Sequence, residues 1–439
     1  MKKQEKSKIE NLNKEKNVIM LRNIKGITLI ALVITIIVLI ILAGISINLI
    51  LGENGIITKA KLAKTETEQA KQNEEIGLNE TAKYIEEMGA SGGTTNPPVE
   101  KSEIEKSRDA GTYMTAPTTL KDSNGNLIKV PQGFKIAQDS GINVTEGIVI
   151  EDNDIITEVG NNRGNQYVWI PVGNGIKKSD GTTVDITLGR YTFADGTNDK
   201  AEDGTTVLAK GTPILKQNAE NYTQEVVINS FFKELSTSRT GVESEGADGL
   251  NTTALNLKGF IDSVKANGGY YIARYEASYG TDGKANSKVS NSYSATTAPT
   301  TEGTLWNFIT QINAATASRS LYTTVTTDLM NSYAWDTATV YIQNFSGDAD
   351  YSYQDGQSIN SSLTNTGVNG DEVCKINDMA SNTVEWTTEY STSTDIFTAS
   401  PCTHRGGFCY NSHVVSSYRA ETDAGSGYMN STFRPTLYM

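Results

Sequence analysis

The sequence predicts an apolar, membrane-crossing α-helix followed by a large α+β domain. Three observations carry this expectation. Ile27 to Leu51 contains no charged residue. Ala90-Ser91-Gly92-Gly93-Thr94-Thr95-Asn96-Pro97-Pro98 breaks the chain with a flexible and then stiff linker. Beyond Glu100, short runs rich in β-branched and aromatic residues alternate with turn signals, and three helical patterns lie among them.

The apolar run comes first. As a helix it would be about 37 Å long, enough to cross a hydrocarbon core of about 30 Å. It exceeds the ~7–15 residues of a secretory signal core, and no small-x-small cleavage site follows it. Residues 1–26 precede it as a basic leader, in which eight Lys and Arg face three Glu for a net charge of +5. Positive charge beside a span stays in the cytoplasm, so the expected location is the cell membrane, single-pass, with the remainder outside. The full chain has 439 residues and a net charge of −13, and its acidic character argues against nucleic acid as a partner. The junction Lys25-Gly26-Ile27-Thr28-Leu29-Ile30 resembles the processing site of type IV prepilins. The resemblance implies cleavage after Gly26 and methylation of Ile27 by a prepilin peptidase, and contact with the lipid bilayer and a pilus-type assembly machinery. Most pilins carry Glu at the fifth mature position, where this chain has Ala31; that departure argues against a major filament subunit.

The expected domains are the leader (1–26), the pilin-like transmembrane helix (27–51), a stalk helix (52–89), the linker (90–100) and a C-terminal domain (101–439). The stalk reading rests on Ile56, Ala60, Ala63, Ala70, Ile76, Ile85 and Met88 at helical spacing among Lys and Glu. In the C-terminal part, Asn124-Gly125 predicts a hairpin turn before a strand at Leu127-Ile128-Lys129-Val130. Further strands are expected at 134–136, 147–150 and 166–172, with 173–225 turn-rich and weakly patterned. One helix carries Ala254, Leu257, Phe260, Ile261 and Val264, and stops at Gly268. A strand at 270–276 follows. A second helix is expected on Leu305, Trp306, Ile309 and Ile312, with Glu302 in the preceding turn. A third begins near Ser332 as N-cap and carries Trp335, Ala338 and Ile342. Of the cysteines, Cys402 and Cys409 would stand about 23 Å apart on one extended strand, which favours a disulfide from Cys374 to one of them.

Asn377-Asp378-Met379-Ala380-Ser381-Asn382-Thr383-Val384-Glu385-Trp386-Thr387 is similar to the D-M-A-G-N-x-W-E-W-T stretch of the formylglycine-generating enzyme (sulfatase-modifying factor) superfamily. Arg405-Gly406-Gly407, Tyr418-Arg419 and Phe433-Arg434-Pro435 resemble its later elements; Tyr167-Val168-Trp169-Ile170-Pro171 and Tyr271 to Glu276 resemble its earlier strands. The resemblance implies an α+β, C-type-lectin-like fold. The family's enzymes hold copper with two thiols between the R-G-G and Y-R elements; here only Cys409 lies there. The related iron enzymes use a His cluster, against two histidines in this chain. The family also implies calcium near Asn382 and Glu385, whose bland role would be a turn cap and an ion pair with Arg405 or Arg419.

These readings converge on a membrane-anchored, pilin-like surface protein displaying a non-catalytic lectin-like domain. Its expected ligand-binding face is Tyr410, Asn411, Ser412, His413, Tyr418, Tyr428 and Asn430, residue types suited to adaptable recognition of an extracellular protein or glycan. The alternatives are a divergent formylglycine-generating oxidase using Cys409 with Cys374 or Cys402, and a structural minor pilin.

Overall fold

The computed structural model describes residues 100–154, 163–234, 256–280, 282–368, 370–392, 402–422 and 427–439. The chain divides into two compact units, 1–98 and 99–439. The leader, Gly26, Ile27, the apolar run, the stalk and almost all of the linker lie outside the described residues.

Within 99–439 the elements run α1 (Glu103–Ala110), β1 (Thr118–Lys121), β2 (Leu127–Val130), β3 (Lys135–Ile136), β4 (Val149–Glu151), β5 (Gln166–Pro171), β6 (Gly173–Lys177), β7 (Thr183–Ile186), β8 (Gly189–Phe193), β9 (Pro213–Asn218) and β10 (Phe232–Lys233). Then come α2 (Leu257–Asn267), β11 (Gly269–Ala273), β12 (Ser278–Tyr279), β13 (Ala285–Asn286), α3 (Gln311–Arg319), β14 (Thr326–Leu329), α4 (Ser332–Phe345) and the single turn α5 (Gly356–Ile359). The chain closes with β15 (Glu372–Val373), β16 (Ile376–Asn377), β17 (Val384–Ser391), β18 (Cys402–Arg405), β19 (Arg419–Thr422), β20 (Ser431–Phe433) and β21 (Pro435–Tyr438).

Two sheets organise these elements. One has six antiparallel strands in the order β14-β21-β11-β5-β4-β3. The other runs β10-β17-β18-β19, with β20 parallel to the start of β17. Every residue of β5 and β11 is buried, because the first sheet is covered on both faces. Tyr270 meets Phe260 of α2 edge-on at 5.2 Å and donates to the Ala334 carbonyl at 2.6 Å. Its neighbour Tyr271 points the other way, packs edge-on against Trp169 at 5.0 Å and donates to the Lys129 carbonyl of β2.

Local chemistry explains the boundaries. The β1–β2 turn forms because Asp122 Oδ1 accepts from the amides of Asn124 and Asn126, and Gly125 takes a φ of 84°. Gly268, at φ 73°, ends α2 as its left-handed cap. Helix α4 is capped by Asn331, whose side chain accepts from Ala334 N, one residue before the expected Ser332. The expected helix on Leu305, Trp306 and Ile309 is absent. Leu305 bridges to Ser278, Trp306 N donates to the Ala277 carbonyl, and Phe308 sits at φ 53°, so the helix starts only after Thr310. The apolar spacing there serves three different neighbours rather than one helix face: Leu305 packs with Leu363, Trp306 on Phe433, and Ile309 under Trp386. The stretch after Gly173, expected to be irregular, folds into the hairpins β6–β7 and β8–β9; bulges interrupt the alternation of both.

The fold class expected from the sequence is corrected. Among the described residues the longest helix is α4, with 14 residues, about 21 Å long against the ~30 Å of a hydrocarbon core. No helix of the described residues is long and apolar enough to cross a membrane. What is observed among the described residues is mostly antiparallel strands, with β20 parallel to β17, and a few short helices. The membrane and transmembrane descriptions and the single-pass membrane location are overturned with it. The expected disulfide is also corrected: no bond joins any two of Cys374, Cys402 and Cys409. They sit in different places, Cys374 against the main core, Cys402 beside Trp386 and Phe433, and Cys409 with Leu305 and Leu363.

Candidate functional site

Five charged side chains meet where α4 crosses β8 and the second sheet. In the β18–β19 ladder Arg405 stands opposite Arg419, which brings two guanidiniums together. Two carboxylates make that arrangement tolerable. Asp336 from α4 bridges the pair, Oδ1 accepting from Arg405 Nη2 at 2.5 Å and Oδ2 from Arg419 Nη2. Glu389 from β17 accepts from Arg405 Nη1 at 3.2 Å and from Arg419 Nε at 3.1 Å, and also from Arg190 Nη2 of β8 at 2.8 Å. All five side chains are buried. Burial pushes the Glu389 carboxyl up, but the guanidiniums of Arg419, Arg405 and Arg190 outweigh it and hold it well below the usual carboxylate range.

This network fixes the strip that follows the R-G-G element. Arg405 Nε donates to the Tyr418 carbonyl at 3.0 Å. Trp335 Nε1 donates to the Ser416 carbonyl, Ser416 N to Gln354 and Ser417 N to Ser352. The strip is thereby laid along Tyr351–Tyr353, with Tyr418 left 37 % exposed.

A cleft of about 540 Å³ lies beside it. Its walls are Phe193 of β8, Lys216 of β9, Val227 to Asn229, Tyr353 and Tyr418; Asp199 and Arg419 complete the polar part. Tyr353 is fixed by donating to the Phe193 carbonyl at 3.0 Å, and the Lys210 amine lies 5.0 Å from its ring centre. Val227 is 43 % exposed at the rim, on a turn whose Asn229 and Ser230 have φ of 49° and 70°. Aromatic walls with one carboxylate and one amine suit a ligand with apolar faces and polar edges.

Of the seven residues expected to bind ligand, Tyr418 alone lines this cleft. Tyr410, Asn411, Ser412 and His413 are exposed on the preceding loop. There Tyr410 packs edge-on against Phe408 at 5.3 Å and its hydroxyl accepts from Leu363 N; Asn411 Oδ1 accepts from His413 N. Tyr428 lies edge-on to His404 at 6.3 Å, and the Asn430 carbonyl accepts from Val384 N. Sequence reasoning missed Arg190, Asp336 and Glu389, and with them the cleft walls from β8, β9 and Val227. The available signal was a charge at each of three otherwise buried element positions.

The pair proposed for calcium is engaged with protein. Glu385 takes Arg434 bidentately, at 2.7 and 3.1 Å, rather than Arg405 or Arg419. Asn382, at φ 61°, accepts from Thr364 N at 2.9 Å and donates to Glu276. Among the described residues no group of three or more His, Cys, Asp and Glu is arranged to hold a metal ion. Burial pushes the Cys409 thiol up to about 12, as it does that of Cys374. A second cleft of about 340 Å³ is lined by Asp152, Asp154, Asp282, Glu302 and Tyr322. No family model, no curated protein and no solved structure matches the chain.

Proposed function

We propose that unit 99–439 is a non-catalytic ligand-binding domain and that its ligand sits in the cleft between Phe193, Lys216, Val227, Tyr353 and Tyr418. One observation carries the reading: an exposed aromatic ring, Tyr418, stands over a mixed apolar and polar cleft, while its own backbone is held by a buried guanidinium. A rigid aromatic anchor binds with little loss of conformational entropy. The partner class is a protein segment or a glycan. The buried, protonated Cys409 thiol also favours recognition over thiol chemistry, since the thiolate is the reactive form.

The test is a paired glycan and peptide array probed with the full chain and with Tyr418→Ala. The expected outcome is a set of binders whose affinity falls at least about tenfold in the variant, as for a central aromatic anchor, with an unchanged urea midpoint. Binders indifferent to Tyr418→Ala would move the site elsewhere, and a blank array would sink the reading.

A further inference from the structure

A buried carboxylate, Glu234, stands beside the charged network. Glu234 directly follows β10, which pairs with Tyr390 and Ser391 at the end of β17. Its side chain turns inward and is buried. Oε2 accepts from the Ser332 amide at 2.8 Å and from the Ser332 hydroxyl at 2.9 Å, at the first turn of α4. Oε1 accepts from the Thr388 hydroxyl of β17 at 2.8 Å. The charged and titratable groups that face it are Arg190 from β8, Glu389 from β17 and Tyr333 from α4.

The same segment forms a wall of the cleft. Val227, Ile228 and Asn229 line it, and Ile228 and Phe232 exchange backbone hydrogen bonds to close the turn between them. Arg190 ties both ends of that turn to the network, donating to the carbonyls of Val226 and Phe232. Glu234 is the third tie, and the one that can change its charge.

We infer that Glu234 is a proton-operated latch on this wall, closed onto α4 and β17 as the neutral acid and loosened when it ionises. The hydrogen-bond chemistry permits both states. The Ser332 and Thr388 hydroxyls donate to a carboxylate, and either can rotate to accept from a carboxylic acid. Burial outweighs the Ser332 amide and the attraction of Arg190, and Glu389 adds repulsion, so the group is pushed up to about 7. The sign follows. A carboxyl whose pKa is higher in the closed state than in water binds more protons when closed, so closure weakens as pH rises from the ordinary carboxylate range up to about 7, and is constant above it. That the latch regulates binding rests on the cleft being the ligand site; that it moves the wall does not.

Hydrogen–deuterium exchange on the full chain, read by mass spectrometry from pH 5.5 to 8.5 and corrected for intrinsic rates, tests this without a ligand. If the open wall exposes Glu234, the opening equilibrium of 226–234 rises about tenfold between pH 6 and pH 8 and then levels. Amides of β5 and β11 show no such rise. Glu234→Gln keeps the hydrogen bonds and removes the pH dependence. A wild-type wall with pH-independent protection, or the same rise in Glu234→Gln, overturns the latch. Should that variant not fold, Thr388→Val removes a partner that favours the ionised form and moves the levelling point to higher pH; an unmoved point overturns the latch equally. Failure here leaves the cleft reading standing, whereas binding indifferent to Tyr418→Ala removes that reading and leaves the latch.

Discussion

Replacing Glu389 by Gln removes the carboxylate that three guanidiniums share. In the native arrangement it accepts from Arg190 at 2.8 Å, from Arg405 at 3.2 Å and from Arg419 at 3.1 Å, all out of solvent. Gln keeps one acceptor oxygen but turns an N–H toward a cation; Arg405 and Arg419 then share Asp336, and Arg190 loses its ion pair. Each charge-assisted bond is worth about 1.5–3 kcal/mol, and removing one partner of a buried ion pair costs about 3–5 kcal/mol because the other charge is left uncompensated. With a native stability of about 5–15 kcal/mol, that is a large share of the whole. Urea unfolding of the full chain should show a lower midpoint at an unchanged slope. Adding Arg190→Met to Glu389→Gln should cost less than the two single changes summed, since the second change removes a charge the first left stranded. The linkage sign gives a second readout. Because Glu389 is held below its unfolded value, it contributes stability above the ordinary carboxylate range that disappears as pH falls through its lowered value. The variant should therefore lose stability less steeply on acidification. A destabilisation under about 1 kcal/mol would mean that these charges are solvated, and the picture of a dry network positioning Tyr418 would fail.

Two further outcomes follow from other buried positions. Glu276 is buried, and burial together with the charges of Asp378 and Glu385 pushes its carboxyl well above the usual range. Its folded form therefore holds a proton that the unfolded chain has released, so stability falls as pH rises above the ordinary carboxylate range. Glu276→Gln should flatten the melting temperature against pH on that limb; a variant that tracks the wild type would show that Glu276 is ionised in the fold. Gly407→Ala would set a methyl group 1.7 Å from the Ala380 carbonyl oxygen, closer than any side chain can give way to. A loss toward the upper end of the about 1–3 kcal/mol typical of overpacking is expected, read as a drop in the urea midpoint, and an unchanged midpoint would mean that the two loops are not in contact.

The parts of the fold legible in the sequence are those set by neighbours in the chain. Asp122 to Asn126 contains the atoms that close its own turn, and the α2 periodicity with Gly268 at its end specifies both a face and a stop. Leu305 to Ile309 misled because apolar residues at helical spacing were shared among three packing partners, each distant in sequence. The network was opaque for the same reason. Arg190 finds Glu389 across 199 residues, and Tyr191 finds Asp336 across 145. Nothing local to Gly189-Arg190-Tyr191 distinguishes an exposed arginine on a surface hairpin from one buried under the second sheet. Tyr418 was legible as an aromatic beside an arginine, but its difference from Tyr410 and Tyr428 was not, because that depends on which strip the buried guanidiniums fix.

The charge count around that strip also explains why a carboxylate there would titrate near neutrality. Arg190, Arg405 and Arg419 bring three positive charges and Asp336 and Glu389 two negative ones. An ionised Glu234 would complete the balance, but it stands beside Glu389 and away from water, so desolvation and like-charge repulsion oppose what Arg190 favours. Burial prevails, and the group is pushed up to about 7. A carboxylate in apolar surroundings without Arg190 would be pushed higher still, and one paired directly with several guanidiniums, as Glu389 is with Arg190, Arg405 and Arg419, is held well below the usual carboxylate range. Glu234 is tied through hydroxyls and an amide instead. That choice of partners makes it sensitive to a proton while the direct ion pairs of Asp336 and Glu389 with the guanidiniums stay in place.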